Sequence, residues 1–232
     1  MFQGFDPAVV DFMWGIRFNN EKTWFEAHKT EYKELFEFPM KELCRDLYAG
    51  FNEKHKELGM VSRVSRIYRD ARRLFGRGPY KDHLWLTVSP SADRWACTPV
   101  FWFELAPENY SYGLGYWMAQ PLTLAKLRAR MDRDPKTMEK LVRQVNKMED
   151  FHLSGQAFKR PKAAPSKLLE PWYNKKGGFS VGWEGVHDDL LWSPDLTGHV
   201  LEKWEQLVPL FRYLSTVDGD SDPAPQACTN SR

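Results

Sequence analysis

A chain of 232 residues, 42% of them apolar and ten of them tryptophan, can form one large domain or two small ones and can bury a sizeable core. Its net charge of +2 excludes a general polyanion binder, and no stretch approaches the roughly 20 apolar residues of a membrane-spanning helix. Cys44, Cys97 and Cys228 are odd in number and far apart, and the segment from Met1 to Pro7 has neither a basic leader nor a long apolar run. A reduced, cytoplasmic protein with free thiols is the expectation.

The first element expected is a helix opened by Asp6-Pro7, with Val9, Val10, Phe12, Met13 and Ile16 on its apolar side. Asn19-Asn20 breaks it. Asn20 can cap a second helix carrying Trp24, Phe25, His28, Tyr32, Leu35 and Phe36 at three-to-four spacing. Pro39 should kink or restart that helix, and Met40, Leu43, Cys44, Leu47, Tyr48 and Phe51 continue its period. Gly59 marks the stop.

From Arg63 to Lys81 positive charge is concentrated. Arg63, Arg66, Arg69, Arg72, Arg73, Arg77 and Lys81 face only Asp70 in this stretch. Val61, Val64 and Ile67 favour a strand to about Tyr68, followed by a loop that turns at residues 76–79. An antiparallel meander comes next, from His83 to Ser89, Thr98 to Leu105 and Tyr110 to Met118, with a turn over Pro90 to Arg94. Gly113 and Gly115 suggest a bulge or a close backbone approach.

Pro121 opens a helix, and Asp134-Pro135 caps and opens another. Phe158 to Gly178 reads as a long irregular connection. Ser193-Pro194-Asp195 starts a last helix expected to bury Leu196, Val200, Leu201, Trp204, Leu207, Val208, Phe211 and Leu214, with Pro209 inside the pattern. Asp218 to Arg232 reads as a disordered tail. The prediction is therefore one α+β domain over residues 1–217, with an antiparallel sheet of about four strands covered by N- and C-terminal helices.

A set of short motifs, in order, resembles one bacterial family. They are Asn19-Asn20 with Trp24-Phe25; Arg66-Ile67-x-Arg69-Asp70-x-Arg72; Pro79-Tyr80-Lys81; Gly113-x-Gly115-Tyr116; Pro121 with Leu127-Arg128; and Leu207-x-Pro209-Leu210-x-x-x-Leu214. The family is catalogued as domain of unknown function 2461, and the resemblance runs from about Phe5 to Leu214. Within the basic block this sequence has Arg73-Leu74 and Gly76-Arg77 where members usually carry Phe-Ser and Asp-Lys. The resemblance implies one soluble domain with a special Arg66–Lys81 block; it implies no activity.

Two readings of that block stand side by side. Arg66, Arg69, Arg72 and Lys81 can form a pocket for a small anionic ligand, supported by Asp70, Tyr80, Asn20 and Trp24, because guanidinium groups grip phosphate and carboxylate in a bidentate way. Equally, they can form an ion-pair network with Asp70 and with carboxylates such as Glu21, Glu26, Glu31 or Glu104, which would leave a protein-interaction module without chemistry. Nucleic-acid contact is disfavoured, since no recognition signature accompanies the near-neutral total charge. No cofactor motif, metal-ligand spacing or nucleophile motif stands out; His187-Asp188-Asp189 reads as a surface loop. Whether the protein is an enzyme, and its oligomeric state, are not set by these residues.

Overall fold

In the computed structural model, which describes residues 1–74, 76–90 and 97–223, six antiparallel strands form a single sheet in the order β1-β2-β3-β4-β6-β5. The strands are β1 (Val61–Val64), β2 (Leu84–Ser89), β3 (Val100–Leu105), β4 (Tyr110–Tyr116), β5 (His152–Ala157) and β6 (Lys175–Gly185). Alternation gives the sheet two different faces. Leu84, Leu86 and Val88 of β2, Phe101, Phe103 and Leu105 of β3, Tyr110, Tyr112 and Leu114 of β4, and Phe179 and Val181 of β6 all enter one buried apolar cluster.

Helices cover that face. α1 (Ala8–Phe18) buries Val9, Phe12, Met13 and Ile16, a spacing that places all four on one side. α4 (Phe38–Lys54) buries Met40, Leu43, Cys44, Leu47 and Phe51 in the same manner and packs on β1 and β2. α8 (Asp195–Ser215) packs on α4 and β4 and continues through Pro209. Burial pushes the Cys44 thiol pKa up, so this cysteine behaves as a small apolar side chain.

Between α1 and α4 the expected single helix is broken into α2 (Lys22–Ala27), α3 (Lys29–Glu31) and a π-helical stretch over Tyr32–Glu37. Pro39 stands in the first turn of α4, so the restart expected there occurs. A proline has no N–H to return to the carbonyl one turn back, and the chain is in the wider register immediately before it. Asn20 does not cap α2; the preceding residue there is Glu21, and the Asn20 amide is used elsewhere.

The sheet has two strands more than expected. β6 falls partly in the stretch read as irregular, which also contains α7 (Glu170–Tyr173). Its glycines made it look like loop, yet they let it lie between β4 and β5. β5 is polar and sits at the sheet edge, so it carries no apolar alternation to read. β1 ends at Val64, and Tyr68 makes only an isolated bridge to Tyr80.

The first residues of the expected tail make contacts with a helix. Thr123 Oγ1 and the Lys126 ammonium, on α5 (Pro121–Arg133), donate to Asp218, and Arg130 of the same helix makes a bidentate pair with Asp220 at 2.6 and 2.7 Å. α6 (Pro135–Val145) follows, capped by Asp134 as expected. The rest of the supposed tail, 224–232, and the supposed turn at 91–94 lie outside the described residues. No helix of the described residues is long and apolar enough to cross a membrane.

Candidate functional site

The second face of the sheet carries a cleft of about 380 Å³. Strand register builds it in transverse rows. Trp85, Glu104, Ser111 and Glu184 are direct neighbours across β2, β3, β4 and β6. Thr87, Trp102, Gly113, Gly182 and His152 form the next row, and Val100, Gly115, Ser180 and Ser154 the third. Trp117 projects at the rim, largely exposed.

The glycines of the middle row are structural necessities. A Cβ on Gly113 would stand 2.2 Å from the Val181 carbonyl oxygen, and one on Gly182 would stand 2.6 Å from that of Tyr112 and 3.0 Å from the Trp102 ring. Without them β4 and β6 could not close up and the Trp102 indole could not lie over the floor. The close approach expected at Gly113 is therefore present.

Polar groups gather at the β2–β3 end. Asp82, just before β2, accepts from Arg17 Nε at 2.5 Å and pairs with Arg69 at 3.5 Å, and the His83 ring nitrogen lies 2.9 Å from its second oxygen. Arg17 also pairs with Glu108. The His83 contact, with help from Arg17, holds the Asp82 carboxyl far below the usual carboxylate range against the opposing effect of burial. Glu104 is shifted the other way. Burial raises its pKa, the neighbouring Glu184 and Asp82 charges add to this, and His83 and Lys81 offset part of it. Glu184 itself accepts from Asn109 at 2.7 Å. Deep among these, the Thr87 hydroxyl is buried with no hydrogen-bond partner among the described residues.

The residues singled out from sequence do not converge on one anion pocket. Arg69 is mostly buried, with its Nε donating to the Tyr80 carbonyl at 2.7 Å; burial lowers its pKa. Arg72 is 86% exposed and forks onto its neighbour Asp70 at 2.8 and 3.0 Å. Arg66 is exposed, and the Lys81 ammonium donates to the Arg66 carbonyl. None of these four lines the cleft. Tyr80 is buried and stacks on Phe25 at 4.2 Å. Trp24 stacks on His28 at 3.9 Å and leans on Phe12, which makes it a packing residue.

Asn20 joins the block to the N-terminal helices. Its amide exchanges two 2.9 Å hydrogen bonds with the backbone of Tyr80, like a short piece of strand. Arg69 pairs with Asp82, which was not among the candidate carboxylates Glu21, Glu26, Glu31 and Glu104; Glu26 pairs with Lys29. Asp82 and His83 were missed because an Asp-His pair beside a lysine carries no spacing signature. Glu184 was missed with its strand.

A family model described as "Conserved hypothetical protein (DUF2461)" matches residues 8–213. The chain belongs to this family. The resemblance read from the basic block and its flanking motifs is therefore correct, and in this DUF2461 protein Tyr80 of that block bonds to Asn20 and Arg69, and Arg69 pairs with Asp82. A comparison with curated proteins returned no match.

The Asp82 cluster has a definite pH signature. A carboxyl whose folded pKa is depressed contributes stability that is present above its unfolded value, about 3.9, and is lost as pH falls below it. Asp82→Asn is expected to cost about 1–3 kcal/mol at neutral pH, because it leaves Arg17 and the desolvated Arg69 short of an anionic partner. The gap between the melting temperatures of the two proteins should narrow below about pH 4. Melting curves from pH 2 to 7 that stay parallel would show that Asp82 does not carry this charge.

Proposed function

We propose that this DUF2461 protein binds a small, hydroxyl-rich ligand of the sugar or polyol class in the cleft on the second face of the sheet. The observation that carries this reading is the lining itself. Trp85, Trp102 and Trp117 supply flat apolar surfaces, Glu104, Glu184, Asn109, Ser111 and Ser180 supply hydrogen-bonding groups, and among the described residues no lysine or arginine lines the cleft. A ring with apolar C–H faces and polar edges fits such walls: the faces lie on indole, and the hydroxyls donate to carboxylates and exchange bonds with the amide and hydroxyl groups. The unpartnered Thr87 hydroxyl would gain a partner from such a ligand. Glu104, a carboxyl whose pKa burial raises, stands among these walls as a hydrogen-bonding partner for a hydroxyl.

A small anionic ligand held at Arg66, Arg69, Arg72 and Lys81 is the second reading. It is favoured by Arg66 and Arg77, which are exposed and make no ion pair among the described residues. It is weakened by the engagement of Arg69 and Arg72 with Asp82 and Asp70.

Thermal stability against a panel of polyols, aldoses, sugar phosphates, dicarboxylates, nucleotides and short oligonucleotides separates the two. A ligand at about 100 times its Kd adds roughly 2.7 kcal/mol, a rise of roughly 5–10 °C for a domain of this size. The expected result is a shift with uncharged polyols or sugars that disappears in Trp102→Ala and in Glu104→Gln. A shift confined to the anions, lost in Arg66→Ala and kept in Trp102→Ala, would replace this reading with the second. A shift with oligonucleotides only, fading as salt rises, would replace both.

A further inference from the structure

Two carboxylates stand in the first row of the cleft. Glu104 of β3 and Glu184 of β6 flank Ser111 of β4, and all three line the cleft with Trp85, which opens the same row on β2. Two strand spacings put the backbones of the two glutamates about 9–10 Å apart, so their carboxyl groups stand on either side of one small group above Ser111. Asp82 nearby is answered by Arg17, Arg69 and His83. Among the described residues Glu104 has no hydrogen bond and no ion pair. Lys81, which acts on it electrostatically, donates instead to the Arg66 carbonyl. Glu184 uses one oxygen for the Asn109 amide and pairs with no cation among the described residues.

A second observation points to an occupant. Thr87, in the next row, is 3% exposed and lines the same cleft, and its hydroxyl has no partner among the described residues. A buried hydroxyl of this kind calls for a hydrogen-bonding group from outside the chain.

We propose that the first row of the cleft holds a protonated primary amine, and that the ligand is an amino sugar or amino polyol. A primary ammonium carries three N–H donors. Glu104, Ser111 and Glu184 offer three acceptors in line, two of them carboxylates, so two of the bonds are charge-assisted. The Trp85 ring at the end of the row is a surface that attracts cations. With the ammonium in the first row, the hydroxyls of the ligand reach the second, where Thr87 takes one up and the Trp102 indole meets a ring face. A neutral sugar would leave Glu104 without a counter-ion. The inference rests on the sugar reading for the ring and its hydroxyls; the ammonium site itself depends on the carboxylate row.

The test compares sugars that differ in charge. Glucosamine, galactosamine and mannosamine are set against their parent hexoses and their N-acetyl forms, with ethanolamine as an amine without a ring. The pH is about 6.5, below the pKa of an ordinary amine, and chloride is held constant. Melting temperatures are read over a range of ligand concentrations for the wild-type, Glu104→Gln and Glu184→Gln proteins. At least one amino sugar is expected to bind roughly tenfold tighter than its parent and its N-acetyl form, and the advantage should vanish in both variants. Glutamine keeps the shape of glutamate and Glu104 has no partner to lose, so unliganded Glu104→Gln should melt no lower than the wild type. Equal affinity for an amino sugar and its parent, or an advantage kept in Glu104→Gln, would overturn the ammonium site and leave the sugar reading standing. A shift with ethanolamine and with no sugar would uphold the ammonium and remove the sugar. No shift with any amine would overturn the proposal, and the neutral polyols and aldoses would then decide the sugar reading by themselves.

Discussion

Replacing Trp204 by alanine is expected to lower the stability of the protein by about 3–5 kcal/mol, a fall in Tm of roughly 6–20 °C. Trp204 lies on α8 with no exposed surface, and it is the largest of the fully buried side chains. Its ring meets Phe101 of β3 at 5.3 Å and Phe51 of α4 at 6.2 Å, and Phe101 in turn meets Phe51 at 4.8 Å and Phe211 at 5.2 Å. One side chain thus joins the sheet to both long helices, and alanine would leave a void that no flexible neighbour can fill. Its indole N–H is buried without a partner among the described residues, so Trp204→Phe should cost much less than Trp204→Ala, because it keeps most of the volume and removes an unsatisfied donor. Thermal or denaturant unfolding of the two variants measures the difference. Equal losses would mean that the indole edge itself is indispensable and that packing volume is the wrong account.

Asn20→Ala is the second large effect expected, about 2–3 kcal/mol, or roughly 4–12 °C in Tm. The substitution removes both hydrogen bonds to the Tyr80 backbone, leaving its N–H orphaned beside a buried ring, while the Tyr80 carbonyl keeps only the Arg69 bond. Asn20→Asp should be no better, since a carboxylate oxygen would take the place of the donor and face the Tyr80 carbonyl. Gly78→Ala should reproduce the loss from the other side: its Cβ would stand 2.1 Å from the Asn20 side-chain oxygen and 2.3 Å from the carbon that bears it. A double variant, Asn20→Ala with Gly78→Ala, should then lose less than the sum of the single losses, because the two changes damage one contact. Additive losses would show that the Asn20–Tyr80 clasp is not what Gly78 protects.

Periodicity identified α1, α4 and α8 and the faces they bury, because one apolar stripe every three to four residues has few other uses. It identified the β2–β3–β4 meander for the same reason at period two. It failed at β5, where the edge position removes the need for apolar alternation, and at β6, where Gly177, Gly178 and Gly182 imitate a loop. Asn20 looked like a helix cap because a cap and a strand-like clasp ask the same chemistry of an asparagine; only the position of Tyr80 decides between them.

The basic block was legible as a local excess of positive charge, yet its role was not legible. Charges close in sequence repel unless something compensates them, and sequence could offer several carboxylates. Folding chose Asp82 for Arg69, Asp70 for Arg72 and a backbone carbonyl for Lys81.

By itself, then, the sequence determined the class of fold, the helices that make the core and the family to which the chain belongs. All of these follow from local periodicity and from motifs that sit in consecutive positions. The cleft was decided only by tertiary structure. Trp85, Glu104, Ser111 and Glu184 come from four strands and become neighbours through hydrogen-bond register. Register is set by which face each strand must bury, a condition the whole sheet satisfies together and that no single segment contains.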